Sequence, residues 1–566
     1  MRWQRMLVGV LAAATLVVPA CTEDVEDPDE EAADAPAGAA EAPRDDEGCP
    51  GELGDGFRAW GDAGFSGGVV VLERGEPVCR AAYGRDVGVD SVFSIGSISK
   101  AVTAAAVLDL VGEGRLGLDD RVGDRVAGLG GPVADATVAQ LLLHTSGLTG
   151  DVGPDHEPLS REQALTALSS LDLAFPPGQD FQYSNAGYVL LALLVEDVSG
   201  TDHRQFLVDR ILPPGAGFWD GEPAPEGSRA VGYLDDGPTD QMGDFPGPHW
   251  ALAGNGDVAM TVEQLATWTH DLFTGEVLPP ATVDLLTGTR FDNGDGTAEI
   301  PGWVAVDGAT IGEPFVTASG GGGDVGHEAV VVWLPESERV LAVASNTPAV
   351  TAGALVEAVG PALAASKPLP APDPTGTEVD PEEAAAAEGT YELVDGDGTV
   401  TLTAGDGRLT ATAAGPGAMA ALFPRPEGVD AAEVEAHEAA VLALLAGETD
   451  AGREELDALA EDFGEVAGVA LEGTVLAQGE LRTYVVLTVD GERLVAWYAL
   501  DEGGEVAAVE VGTDPPALEL AGTDEPGTYR SVDPTGVRPA VTVTVDGDTL
   551  TVAGGGAAVE ARRLAG

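Results

Sequence analysis

At 566 residues the chain exceeds what one hydrophobic core organises, and about two to four domains are expected. An apolar content of 44% is enough to fill such cores, whereas 96 acidic against 27 basic residues give a net charge of -69. That surface repels nucleic acid and anionic lipid and excludes both as partners held by charge. Three cysteines are too few for a cysteine-built metal site, the spacing of the seven histidines suggests none, and no cofactor is expected.

The N-terminus reads as a targeting segment. Arg2 and Arg5 precede the apolar run Met6 to Val18, which is too short to span a bilayer and has the layout of a secretory signal. It ends in Val18-Pro19-Ala20-Cys21, which resembles the lipobox of bacterial lipoproteins. Residues 1–21 are then signal peptide and lipobox, and Cys21 is the lipidated first residue of the mature chain; an ordinary signal peptide with a chance cysteine is the alternative. Thr22 to Glu47 is acidic, rich in Ala and Pro and without a core-forming pattern, as a disordered tether would be. The expected location is outside the cell, on the outer face of its membrane. In an exported protein the two remaining cysteines, Cys49 and Cys79, are expected to form one disulfide.

The folded part begins at residue 48. A short helix, Phe57 to Ala63, leads into Gly67 to Cys79, which reads as strand, Gly-containing turn and strand. Next comes Val92-Phe93-Ser94-Ile95-Gly96-Ser97-Ile98-Ser99-Lys100, continuing as a helix from Ile98 to about Val111. One turn takes about 3.6 residues, so Lys100 lies on the face of Ser97 with its amine near the serine oxygen. Ser97 falls at the helix N-terminus, where unpaired N–H groups favour an alkoxide. Lys100 is one of only two lysines beside 25 arginines, and lysine, unlike arginine, can give up its proton to act as a base. The plain alternative makes Ser97 an N-cap and Lys100 a solvated first-turn residue.

Val138 to His144 forms another short helix, closed by Thr145-Ser146-Gly147-Leu148. The loop Phe181-Gln182-Tyr183-Ser184-Asn185 opens the apolar helix Val189 to Val198, with Gly200 just past its end. Alone, Tyr183 could be a core tyrosine and Asn185 an N-cap. Ser-x-x-Lys followed by Tyr-x-Asn resembles the serine beta-lactamase and penicillin-binding protein superfamily, in its class C-like branch. The resemblance runs from Gly51 to about Ala365, with further similar segments at Leu141 to Leu148, Pro177 to Leu194, Gly254 to Leu278 and Gly326 to Glu336. It implies that Ser97 is the acylated nucleophile, that Lys100 and Tyr183 share its proton, and that Asn185 holds Lys100 and the substrate amide.

The family's third motif, Lys/His-x-Gly, falls by counting back from Gly326 within Ser319-Gly320-Gly321-Gly322-Gly323. Gly320 then stands where a lysine or histidine usually binds a substrate carboxylate. The glycines Gly320, Gly321, Gly322 and Gly323 would let backbone approach the substrate, and an N–H near Gly323 would join that of Ser97 as the oxyanion hole. His327 is read as structural, and Thr261 to Gln264 as a capping box.

Ser366 to Glu383 is a Pro-, Asp- and Thr-rich linker without periodicity. Beyond it Gly389-Thr390-Tyr391 with Val400 to Thr403 returns as Gly527-Thr528-Tyr529 with Val541 to Thr544, an internal β-rich repeat with copies at 384–425 and 521–566. Between them, 426–520 resembles a small NTF2-like or cystatin-like α+β module.

The resemblance thus implies a mixed α/β (α+β) fold over 48–365, an antiparallel sheet flanked by helices plus an all-helical subdomain, followed by the β-rich and α+β modules. It implies a serine hydrolase working through an acyl-enzyme on a small ester, amide, D-amino-acid or cell-wall peptide substrate. A beta-lactamase, a D-alanyl-D-alanine carboxypeptidase and a binding protein without turnover are the alternatives.

Overall fold

The structure, a computed structural model, describes residues 44–45, 48–153, 157–234, 237–239, 249–294, 296–308, 311–321, 325–372, 376–394, 396–405, 407–425, 429–477, 480–489, 491–500, 504, 506–534 and 539–564. Cys21, Gly322 and Gly323 lie outside the described residues. Two compact units emerge, residues 43–374 and residues 375–533 with 537–566.

The first unit is built on a nine-stranded antiparallel sheet. Its central strands are β1 (Gly67–Glu73), β2 (Glu76–Tyr83), β3 (Thr297–Ile300), β4 (Trp303–Val306), β5 (Phe315–Gly321), β6 (Glu328–Leu334) and β7 (Arg339–Ser345). They lie side by side as β2-β1-β7-β6-β5-β4-β3, with the short pairs Arg44–Asp45 and Phe291–Asp292 at the two edges. Strands such as β6 and β7 read as unbroken apolar runs because both faces of the sheet are covered, so alternate side chains enter different cores. Val69, Val71, Val330, Val332, Leu341 and Val343 meet Phe57 and Trp60 of α1 (Gly51–Asp62) and Leu355 and Val359 from a helix near the C-terminal end of the unit (Ala352–Ala364). Val70, Leu72, Val331, Val340 and Ala342 face the other way, into the larger core with the remaining helices. Cys49 and Cys79 are joined in a disulfide that ties the start of α1 to β2.

In that larger core, α2 (Ser99–Gly112) packs against a long apolar helix, Asn185–Ser199. Both are apolar on nearly every side, which fits helices enclosed by neighbours rather than lying on a surface. The Asn185–Ser199 helix starts four residues before the apolar run, because Ser184 caps it by accepting from the Gly187 N–H, and Gly200 ends it at φ 74°. Thr261 and Gln264 form the expected capping box at the head of the helix Val262–Thr274. Among the described residues no helix is long and apolar enough to cross a membrane.

In the second unit the two repeat copies do not make two modules. Eight strands, from Gly389–Leu393 to Ala557–Arg563, close into one barrel, and Tyr391 opposite Arg563 completes the ring. Period-2 alternation turns Tyr391, Val400, Leu402, Leu409, Tyr529, Val543, Leu550 and Val552 inward and leaves the threonines outside. Each copy lacks the strands to close alone, which is the physical reason for the correction. The α+β insertion joins the helices Ala431–Leu445 and Asp450–Asp462 to a four-stranded sheet. Its first strand, Val466–Ala477, escapes the sequence pattern because two register shifts, beside Gly468 and Gly473, break the alternation.

The boundary between the two units falls inside the expected linker, and the residues on either side of it are anchored to their own unit. Leu369 packs in the core of the first unit and the Pro370 carbonyl accepts from Trp60 Nε1 at 3.0 Å. Thr377 bridges Gly522, Val379 is buried in the second unit, and Asp380 caps a helix at Pro381–Ala387. Isolated anchors of this kind leave no periodic trace in a sequence.

Candidate active site

Between the short strand Val92–Ser94 and α2 the chain arranges its chemistry around one tight turn. Residues Gly96–Ile98 form a single 3-10 turn that leads directly into α2 at Ser99, so Ser97 lies in that tighter turn rather than in α2 itself. Lys100, only 3% exposed, still reaches back: its Nζ donates to Ser97 Oγ at 3.0 Å and to the Asn255 carbonyl at 3.2 Å. The ammonium end also lies over the Tyr183 ring, 4.7 Å from its centroid. Tyr183 OH donates to the same Ser97 Oγ at 2.9 Å. Lys100, three residues on, and Tyr183, 86 residues on, therefore meet at the Ser97 oxygen.

Two elements bring Tyr183 there. The Asn185–Ser199 helix anchors one side of its loop. On the other side stands α3 (Val138–Leu142), which stops two residues short of the expected end; His144, in the turn just past it, was not singled out from sequence as a site residue. Burial raises the Tyr183 pKa strongly, and the nearby carboxyls of Asp151 and Glu299 add to the effect, so the side chain is a phenol and a proton donor. Burial likewise pushes His144 down to about 3, with the Lys100 charge contributing, and the imidazole is neutral.

Asn185 is placed differently from what the resemblance implies. Its Nδ2 donates to Asp151 Oδ1 at 2.7 Å, and its Oδ1 is buried without a hydrogen-bond partner among the described residues. The Asn255 main-chain carbonyl is among the groups that hold Lys100. The amide is turned because a carboxyl lies beside it, and Asp151 is itself raised in pKa by burial, the Asn185 donor and Lys100 opposing that rise.

A second correction concerns position 320. A Cβ on Gly320 would come within 2.3 Å of both the Ile95 carbonyl oxygen and the Ser97 nitrogen, so no lysine or histidine could project from here. Gly96, at φ 49°, faces it, and a Cβ there would stand 2.4 Å from the Gly321 nitrogen. Glycine on both sides lets strand β5 run against the backbone of the Ser97 turn. Counting back from Gly326 missed this, because spacing along a glycine run carries no register. His327 is buried between Phe93 and Trp219, with Nδ1 accepting from the Ser94 N–H, away from the cleft.

The cleft above Ser97 is open to solvent, and its empty space, counted out into the solvent at its mouth, is about 410 Å³. Ile300, Trp303 and Val304 form an apolar wall, Glu299 contributes a carboxyl, His144 a neutral imidazole, and Lys100 is the only lysine or arginine of the lining among the described residues. Among the described residues no cluster of His, Cys, Asp or Glu converges as a metal site.

A serine with an amine and a phenol on its oxygen, in a cleft beside an antiparallel sheet, defines a serine acyl-transfer site. A family model described as Beta-lactamase matches residues 58–366, more than half of the chain, and the chain belongs to that family of serine hydrolases. It is similar to penicillin-binding protein 4* of Bacillus subtilis (strain 168), 31% identical over 165 residues, covering 26% of this chain and 36% of that protein. To penicillin-binding protein 4 of Amycolatopsis lactamdurans it is 36% identical over 154 residues, covering 25% and 38%. These matches span little more than a third of the relatives' length. Among solved structures it is similar to the octameric penicillin-binding protein homologue from Pyrococcus abyssi, with 16% identity, 89% of this chain and 98% of that chain covered, and a TM-score of 0.49.

Proposed function

We propose that this chain hydrolyses small esters or amides through an acyl-enzyme on Ser97. The observation that carries the reading is the convergence of Lys100 Nζ and Tyr183 OH on Ser97 Oγ. Acyl transfer needs a base for the nucleophile, an acid for the leaving group and N–H donors for the oxyanion. Lys100, freed of its proton, takes that of Ser97. Tyr183, held as a phenol, supplies one to the leaving group. The N–H of Ser97 and one from the adjoining Gly320–Gly321 backbone would bind the oxyanion, which moves the second donor back along β5 from the expected Gly323.

Neutral acyl donors fit this cleft better than anionic ones. Lys100 is already engaged, and the other charged group of the described lining is a carboxyl, so among the described residues a substrate carboxylate meets no spare cation. We expect kcat/KM for p-nitrophenyl butyrate to exceed that for nitrocefin and for a diacyl D-Ala-D-Ala peptide by at least about tenfold, roughly what one charge-assisted hydrogen bond is worth. One preparation assayed on all three decides it; a preference for either carboxylate substrate would overturn the assignment and return the beta-lactamase or peptidase reading. The site would work outside the cell, tethered through Cys21. Replacing Cys21 with serine should then move the protein from the membrane fraction to the medium, and an unchanged distribution would refute the anchor.

A further inference from the structure

Tyr183 sits on a loop, yet its hydroxyl must stay within hydrogen-bond reach of a serine on a different element. Three contacts to a single residue hold that loop. The His144 carbonyl accepts from the Gln182 N–H at 2.9 Å, and His144 Nδ1 accepts from the Ser184 N–H at 3.1 Å, so the residues on both sides of Tyr183 are pinned. The imidazole itself stacks on the Tyr183 ring, centroids 4.6 Å apart and planes 25° apart, and its further ring neighbours are Tyr188 at 5.1 Å and, edge-on, Phe181 at 6.0 Å.

The backbone of His144 is adapted to this. Its φ of 55° lies in the left-handed region, which a non-glycine residue occupies at a cost, and which His, Asn and Asp enter more readily than most. That turn aims carbonyl and ring at the same loop. With Nδ1 accepting a backbone N–H, the neutral ring carries its proton on Nε2. An imidazolium at this point would have no acceptor for Ser184 and would place a second cation beside Lys100.

We infer that His144 is the positioning residue for Tyr183, clamping its loop from both sides and its ring from one face so that the phenol points at Ser97 Oγ. The inference rests on Tyr183 acting as the proton donor. A clamp of this kind affects the chemical step through Tyr183 alone, which separates it from a residue that merely supports the fold.

The test is a double-mutant cycle on p-nitrophenyl butyrate hydrolysis, with the rate of fluorophosphonate labelling of Ser97 as a second readout. His144→Phe keeps a ring and removes the Nδ1 acceptor; His144→Asn keeps an acceptor near Nδ1, tolerates the left-handed backbone and removes the stack. Tyr183→Phe alone should lower kcat by about 10²-fold or more, the usual scale of a lost acid–base group. His144→Phe should lower kcat by about tenfold or more with KM within about twofold, and His144→Asn should recover part of that loss. In the Tyr183→Phe background His144→Phe should cost less than about threefold, because the group it positions is gone. Equal losses in both backgrounds, or a rise in KM with kcat intact, would overturn the clamp while leaving Tyr183 as donor. Undiminished kcat in Tyr183→Phe itself would instead refute the donor, and the clamp with it.

Discussion

Ser97→Ala is expected to abolish covalent labelling by a fluorophosphonate, and Lys100→Arg to slow it by roughly 10⁴-fold, the scale seen when one member of a nucleophile–base unit is removed. The alanine variant tests the nucleophile and the arginine variant tests the kind of help it receives. Lys100 is buried, donates to Ser97 Oγ and the Asn255 carbonyl, and lies over the Tyr183 ring. Arginine preserves the positive charge and the capacity to donate, so it retains whatever a fixed cation offers a developing alkoxide. It does not give up its proton near neutral pH, and therefore cannot be the base. Intact-mass measurement of the adduct against time gives the rate for each variant, with thermal melting to show that each is folded. Labelling of Ser97→Ala at the wild-type rate would remove Ser97 as nucleophile. Near wild-type labelling of Lys100→Arg would leave Lys100 as an electrostatic prop and require another base.

Ser97 and Lys100 were legible because their relation is local. Four residues on one turn bring the two side chains together in a regular helix, and the 3-10 turn that the chain adopts there changes the path but preserves the meeting at 3.0 Å. Tyr183 was legible only through the ordered motifs of a family, since nothing within its own loop says which serine it faces. The contacts that hold the site were not legible. His144 acts through its carbonyl, its ring and an unusual φ, and Asn255 through a main-chain oxygen, and neither role is announced by a spacing in the sequence. Asn185 was recognised by its motif but turned by Asp151, a carboxyl brought close only by the fold. The second unit shows the same limit at larger scale: strand alternation revealed six of the eight barrel strands as two similar groups, whereas Leu518–Gly522 and Ala557–Arg563 were missed and closure depends on pairings such as Tyr391 with Arg563, far apart in the chain.

Gly320→Ala should cost at least about 10²-fold in kcat/KM, the scale of one lost oxyanion donor, although the change adds a single methyl group. The carbon would stand 2.3 Å from the Ser97 nitrogen and 2.7 Å from that of Ile98, distances that rigid backbone does not accept. Either β5 or the Ser97 turn must withdraw. Moving β5 breaks its pairing with β6, where Gly320 lies opposite Ala329 and Gly321 opposite Glu328. Moving the turn displaces the nucleophile from Lys100 and Tyr183. The comparison that isolates this effect is Gly288→Ala, at the end of the helix Pro280–Gly288, where an added Cβ meets nothing within 4 Å and activity should stay within about twofold of wild type. Gly320→His should be no better than Gly320→Ala on p-nitrophenyl butyrate and should gain nothing on nitrocefin, because the side chain would have to enter through the same occupied space. Steady-state rates on the ester and nitrocefin, beside melting curves for all three variants, distinguish the outcomes. A folded Gly320→Ala protein with wild-type kcat/KM would show that the close approach of β5 to Ser97 is not needed for catalysis, and a gain by Gly320→His on nitrocefin would restore position 320 as a carboxylate-binding position.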